Sequence, residues 1–497
     1  MIAIGGSIGA GLWIGTGTVL AQGGPASALI AYIFVGAILY CTVHAIGELA
    51  TLYPVAGSFA TFSTRFIDPA WGFAMGWNYA MNWLVVLPLE VTAGLKILHF
   101  WEHNGSYNIP EAVSVTIFLV AIFGINLCGV RAYGESEFGA SLIKAAALFG
   151  FILLGIIINC VGNQTSGYIG LSLWTDPGAF NNGFKGFCSV LISSAFSFAG
   201  TELVGLSAAE TMNPTKNIPR AVKQVFWRIA TFYVVSVLIV GLIVRYDDIR
   251  LIGDSSDPST SPFILAIQDA GLDGLDSVMN VVILVSVLSV ANASFFASSR
   301  VLAALADQGQ APKALRYIDR RGRPIAAVCL AALVGLLSYM GTGVATDIVL
   351  DWLVALSGLS SIISWASICL SHIRFRQAWK LKGHSLDELV YRSPVGTVGS
   401  WLALCGLGLI IAAQVWVAVD PIDATHDIRS RVSHFFSSLL TLPVIFLFYF
   451  GFKLAFKTKW VKIEQIDIET GRYKMKGRHR RKEGGNSFLD RLTKLAI

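Results

Sequence analysis

Apolar runs dominate this chain, and polar residues gather in the short stretches between them. Runs of 18 or more apolar residues recur along its 497 positions, and each is long enough to cross a hydrocarbon core of about 30 Å as a helix. The pattern predicts twelve spans, at roughly 2–22, 26–50, 71–98, 112–130, 138–160, 186–209, 226–244, 276–305, 324–341, 347–372, 399–419 and 433–456. The first run lacks a basic leader and a small-residue cleavage site, so it reads as a retained span and not as a signal peptide. The expected fold class is an all-α polytopic membrane protein.

Two runs depart from the plain pattern. The first, Ile4 to Gly17, carries Gly5, Gly6, Gly9, Gly11, Gly15 and Gly17. In water each interior glycine costs a helix about 0.8–1 kcal/mol relative to alanine. In a bilayer, unwound backbone persists only where protein or a water-filled cavity satisfies its N–H and C=O groups. The second, Ser193 to Gly205, lies in the sixth span and carries Gly200 and Glu202. Interrupted helices at corresponding positions of two halves predict an inverted-repeat transporter with its site where the halves meet. Helix packing is the alternative, since Gly5/Gly9 and Gly11/Gly15 are also GxxxG pairs. A dinucleotide loop is excluded, because no strand precedes Gly9-x-Gly11. A broken helix offers N–H groups to an anion and C=O groups to a cation. An α-amino acid carries both charges, although a sodium-coupled solute would use the same parts.

Charge inside the spans is the next signal. Lys144 lies in the fifth span, Glu48 in the second, Glu90 in the third and Glu202 in the sixth. An ionisable group at the bilayer centre costs about 2.5–3.5 kcal/mol on the mildest scale, so each needs a reason. A buried lysine can take up and release a proton as its surroundings change; the other reading of Lys144 is a side chain snorkelling to the inner surface. Glu202 is well centred and reads as functional, whereas Glu48 and Glu90 read as helix caps or bundle pairs.

Composition and charge settle environment and orientation. Hydrophobic residues are 54% of the chain and charged residues 14%, against about 25% charged in soluble domains. With the N-terminus in the cytosol, the loops assigned inside hold sixteen Lys and Arg, Arg228 and Arg376 among them, and those outside hold six; the positive-inside bias supports that orientation. The net charge of +6 then reflects topology and gives no support to nucleic-acid binding. The basic tail, with Arg478 to Lys482, suits the cytosolic face and could rest on anionic lipid there. Asn163-Gln164-Thr165 is a glycosylation triplet on an outer loop. The seven scattered cysteines show no CxxC or metal spacing, so neither a disulfide framework nor a metal site is indicated.

Several motifs together resemble fungal amino-acid permeases of the amino acid–polyamine–organocation superfamily, and most of all their general amino-acid permeases. They are the opening Gly-Ser-Ile-Gly-x-Gly-Leu, Gly47 to Pro54, Arg65 to Phe73, Gly76 to Tyr79, Phe198 to Gly205, Ser299-Arg300, Asp319 to Pro324 and His384 to Leu389. The resemblance implies a five-plus-five inverted repeat with broken first and sixth helices: repeat one at about 1–160, repeat two at about 186–372, two extra helices at about 399–456, and a cytosolic tail at 457–497. It implies proton-coupled uptake of amino acids at the plasma membrane, with protons as the coupling ion and no other cofactor. By the same resemblance the substrate carboxylate meets N–H groups of Gly9, Ala10 and Gly11. The amine meets carbonyls of Ser7, Phe196 and Ala199 beside Gly200, and the Phe196 ring closes over the substrate. Lys144 matches a lysine that fills a sodium site in sodium-coupled relatives, and Glu202 a conformationally important glutamate. Turnover through ubiquitin-ligase adaptors is also implied, with no lysine assigned to it.

Two departures are expected to matter. Relatives usually carry a hydroxyl residue at Ala10, and one lost hydrogen bond to a charged group costs about 1.5–3 kcal/mol. Trp13 replaces a smaller residue and is expected to narrow the site. Relatives also carry a cytosolic segment and a basic flank ahead of the position matching Met1, so the sequence is either a piece of a longer chain or a first half-helix without its anchor. An amino-acid sensor built on the same fold, or a carrier of polyamines, remains the alternative function. A membrane enzyme is disfavoured, because the histidines are dispersed and no nucleophile–base pair stands out.

Overall fold

In the computed structural model, residues 6–55, 57–103, 109–162, 167–206, 213–252, 261–342, 346–422 and 428–473 are described. Among them every regular element is helical. The principal helices are α1 (Ala10–Trp13), α2 (Gly15–Leu52), α3 (Pro69–His103), α4 (Glu111–Leu127), α5 (Val130–Val161) and α6 (Gly183–Phe198). They continue with α7 (Pro214–Arg228), α8 (Leu275–Asp307), α9 (Ile325–Gly335), α10 (Thr346–Leu381), α11 (Gly396–Val419) and α12 (Thr441–Phe456). Eight helical segments among the described residues are long and apolar enough to cross a membrane: α2, α3, α5, α8, α10, α11, and the stretches Gly183–Gly205 and Pro214–Ile243. The helices at Glu111–Leu127, Ile325–Gly341 and Thr441–Phe456 are shorter but equally apolar.

The 38 residues of α2 would measure about 57 Å as one straight helix, nearly twice a bilayer core. The chain breaks at Gly24, whose φ of 77° and ψ of 169° are non-helical, just ahead of Pro25. That is where the hydropathy pattern separates its first two spans. The backbone freed by the break is satisfied by the segment leading into α6. Asn181 Nδ2 donates to the Ala21 carbonyl at 2.7 Å, and the Asn181 N–H donates to the Gly23 carbonyl at 2.9 Å. The Ala26 N–H in turn donates to the Ala179 carbonyl at 2.8 Å. Side chains and loop backbone thus do for this turn what lipid cannot.

The core is built where α3 packs along α8, α2 along α6, and α10 against α3, with α5 flanking α8. Two basic residues counted with the inner loops are instead buried on helices. Arg228 ends α7 and Arg376 lies in α10. The reason for Arg376 is Glu48: its Oε2 accepts from Arg376 Nη2 and from the Ser393 N–H, each at 2.7 Å, while its Oε1 lies 3.2 Å from His372 Nε2. Glu48 therefore pairs within the bundle. Beyond α12 the chain folds back on the ends of α2 and α10. Tyr53 Oη donates to the Ile468 carbonyl at 2.7 Å, and Lys382 Nζ to that of Ile466 at 2.6 Å. All seven cysteines are free thiols. Asn163 and the Arg478–Lys482 run lie outside the described residues.

Candidate functional site

The two glycine-interrupted segments break where the sequence places the interruptions, and they touch. In the first, residues 6–9 turn ahead of α1, which lasts four residues before Ile14 hands over to α2. In the second, α6 stops at Phe198, Ala199 is extended, and Gly200 takes a φ of 89° before a short helix at Leu203–Leu206. Gly200 packs on the Gly6 carbonyl oxygen. A side chain there would have both a disfavoured φ and no room. Gly11 faces the Ser197 backbone, and Ser197 Oγ donates to the Gly11 carbonyl at 2.6 Å. The Ser197 hydroxyl also lies 2.8 Å from Tyr32 Oη. These contacts join α1, α2 and α6 into one polar seam.

A cavity opens beside the seam, lined by residues including Ser7, Gly9, Gly11, Trp83, Glu90 and Phe196, with Ala199 and Val290 completing one wall. Its space is about 20 Å³, enough for roughly one water. Two side chains fill polar positions that the sequence reading reserves for a ligand. The Ala10 N–H donates to Glu90 Oε2 at 3.2 Å, and Tyr233 Oη donates to the Ser7 carbonyl at 2.8 Å. A carboxylate on an N–H at the start of a helix, and a donor on a carbonyl one turn away, repeat in side chains the two contacts an amino acid offers. Glu90 is thus neither a remote cap nor a bundle pair but a wall of the site.

Of the residues singled out from sequence, Ser7, Gly9, Gly11, Phe196 and Ala199 line the cavity. Ala10 adjoins it through its bond to Glu90, and Gly200 through its contact with Gly6. Trp13 does not narrow it: the indole is fully buried against Phe263, with ring centroids 4.7 Å apart. Glu202 is fully buried below the second break. Its Oε1 accepts from the Gly200 N–H at 3.3 Å and from Tyr79 Oη at 3.5 Å, and its Oε2 accepts from Trp365 Nε1 at 3.2 Å. Lys144 is fully buried too, and does not snorkel: Nζ donates to Ser289 Oγ on α8 at 3.0 Å. It interacts electrostatically with Glu90, which connects it to the cavity.

Trp83 and Tyr233 are members that the sequence reading passed over. Trp83 is one aromatic among many in an apolar run, and Tyr233 sits in the π-helical turn Ile229–Val235 that follows α7.

Residues 1–465 match the family model described as amino acid permease. The chain is 50% identical over 477 residues to the general amino-acid permease GAP2 of Candida albicans, covering 95% of this chain and 80% of that protein. It is 46% identical over 481 residues to the general amino-acid permease GAP1 of Saccharomyces cerevisiae, with 95% and 79% covered. It is 48% identical over 479 residues to cationic amino acid transporter 1 of Schizosaccharomyces pombe, with 95% and 80% covered.

Proposed function

The chain belongs to the amino acid permease family, and from that membership we propose how it moves its substrate. It is a multi-pass membrane transporter of amino acids. Our reading is that it works as a proton symporter of broad range at the plasma membrane, carrying amino acids inward, with both termini in the cytosol. The substrate carboxylate takes the N–H groups of Gly9, Ala10 and Gly11, displacing Glu90 from Ala10. The ammonium group takes the carbonyls of Ser7, Phe196 and Ala199 next to Gly200, and the Phe196 ring covers it. Because the cavity holds little more than one water, the first and second breaks must part to admit an amino acid and close again behind it, as alternating access requires. Lys144 and Glu202 carry the coupling: Lys144 by gaining and losing a proton beside Glu90, Glu202 by tying the second break to α3 and α10.

The observation that supports this most is the pair of contacts across the first break. Glu90 on the Ala10 N–H and Tyr233 on the Ser7 carbonyl hold apart the two polarities that a zwitterion would bridge. The test is uptake of a panel of labelled amino acids into vesicles holding the purified protein, with an imposed pH gradient and a pH-sensitive dye. Accumulation of several amino acids accompanied by proton entry is expected. Accumulation with no proton per amino acid overturns the coupling, and a Lys144→Ala variant with the wild-type pH profile removes Lys144 from it.

A further inference from the structure

A second buried acid stands beside Lys144, outside the cavity. Glu137 lies seven residues earlier on the same face of α5, about 10 Å along the axis at helical rise, and is 1% exposed. The Ser289 hydroxyl on α8 spans the gap. It accepts from Lys144 Nζ at 3.0 Å and donates to Glu137 Oε2 at 2.8 Å. A serine hydroxyl has one hydrogen to give, so this is a directional chain from ammonium to carboxylate. The other carboxylate oxygen is fixed as well. Asn292 Nδ2 donates to Glu137 Oε1 at 2.9 Å, and the Asn292 carbonyl oxygen accepts from Asn126 Nδ2 on α4 at 2.8 Å. That last bond holds the Asn292 amide so that its NH2 faces Glu137. Three helices thus cooperate to aim one carboxylate oxygen at the serine.

We propose that Glu137 is the proton partner of Lys144, with Ser289 as the relay between them. The proposal rests on the reading of Lys144 as the coupling group. In the transfer, one Nζ–H bond breaks and its proton joins Ser289 Oγ. The Ser289 O–H bond breaks in the same movement and its proton joins Glu137 Oε2. The nitrogen keeps its electron pair, the serine is restored, and a buried ion pair becomes a neutral amine and a neutral acid. Charge is conserved, and neither product carries the desolvation penalty of a buried ion. Glu137 stands closer to water than Lys144 does. The Arg131–Glu135 pair, 2.9 Å apart with side chains 92% and 68% exposed, marks the charged end of α5, and Glu137 is about 3 Å of helical rise beyond it. The other ionisable groups around this chain include Glu90 on the cavity side, Tyr133 stacked on Phe296, Arg300 over the same ring, and Tyr233 on the turn Ile229–Val235 that packs against α5. Further along α5, Ile239 and Ile243 pack against Gly155. The relay therefore connects the cavity side of Lys144 to one face of the membrane.

The experiment uses the full chain in vesicles and compares wild type with Glu137→Gln, Ser289→Ala and Ser289→Thr. It measures proton-driven accumulation across pH, dye-reported proton entry, and counterflow of labelled amino acid. Glu137→Gln and Ser289→Ala are expected to lose about a hundredfold in accumulation rate, the low end for removing a positioned proton-transfer group, and to flatten the pH profile. Counterflow, which returns no proton, falls by a smaller factor. Ser289→Thr keeps the hydroxyl and keeps accumulation. Where Glu137→Gln fails to fold, the alanine and threonine variants at 289 decide the same question. A coupled wild type whose Glu137→Gln and Ser289→Ala forms match it in accumulation and pH profile overturns the relay alone. A wild type that accumulates substrate without proton entry overturns the coupling reading beneath it.

Discussion

Gly11 is one of the places where the two interrupted segments touch, and replacing it by alanine tests whether that closeness matters. A Cβ at Gly11 would lie 2.8 Å from Ser197 Cα, 3.0 Å from Phe196 Cδ1 and 3.1 Å from the Ser197 nitrogen. Two of these three atoms are backbone, so moving the Phe196 ring alone cannot relieve the contact. Restoring ordinary contact requires the segments to separate by about 0.6 Å. The Ser197 Oγ to Gly11 carbonyl bond, 2.6 Å long, would stretch to about 3.2 Å, past the usual hydroxyl range. Overpacking of this kind costs about 1–3 kcal/mol, and a weakened hydrogen bond adds about 1 kcal/mol. The strain exists only while the breaks are closed on each other, so it raises the closed state relative to parted ones by about 2–4 kcal/mol. If the transport cycle passes through closure, uptake efficiency falls by about thirty- to eight-hundredfold. The assay is the initial rate of labelled amino-acid uptake, normalised to protein at the membrane, beside thermal unfolding in detergent. Gly139→Ala is the control, because its Cβ meets nothing within 4 Å and alanine favours the helix. Uptake by Gly11→Ala within threefold of wild type would refute the argument that the seam must close.

Three further perturbations test other parts of the structure. Glu202→Gln places an amide NH2 against donors from Gly200, Tyr79 or Trp365, a loss of about 1–3 kcal/mol; uptake should drop while the protein still reaches the membrane, and normal uptake would remove Glu202 from the mechanism. Glu48→Gln leaves Arg376 and His372 without their buried anion, which typically destabilises by about 3–5 kcal/mol; a thermal unfolding midpoint equal to wild type would contradict it. At the end of the described chain, the Arg472 guanidinium and the Ser385 N–H hold the Glu388 carboxyl down at about 2 from an ordinary 4.5. A depressed acid contributes stability above its unfolded value and loses it as pH falls through the folded one. Protease access to residues 461–473 should therefore stay constant from pH 7 to pH 5 and rise only below about 4.5, whereas Glu388→Gln should raise it already at pH 7.

The spans were legible because a bilayer allows few alternatives: an apolar run of sufficient length must be a helix. The breaks were legible for the same reason, since glycine at that density in a membrane segment has no other common explanation. What the linear pattern withheld is who meets whom. Glu90 reaches Ala10 across 80 residues, Ser289 reaches Glu137 across 152, and Tyr233 reaches Ser7 across 226. An isolated charge in an apolar run announces that burial must be offset; it does not say by what. Arg376 shows how this misleads, because a basic residue near a span's end reads as loop until the helix proves longer and a buried carboxylate claims it. Glu137 went unnoticed for the matching reason. The hydropathy pattern starts the fifth span at 138, one residue beyond it, while the helix begins at Val130. An acid judged to lie in water needs no partner. Once it is placed on the helix and 1% exposed, the same physics that made Lys144 conspicuous applies to it, and the serine between them becomes the shortest way to answer both.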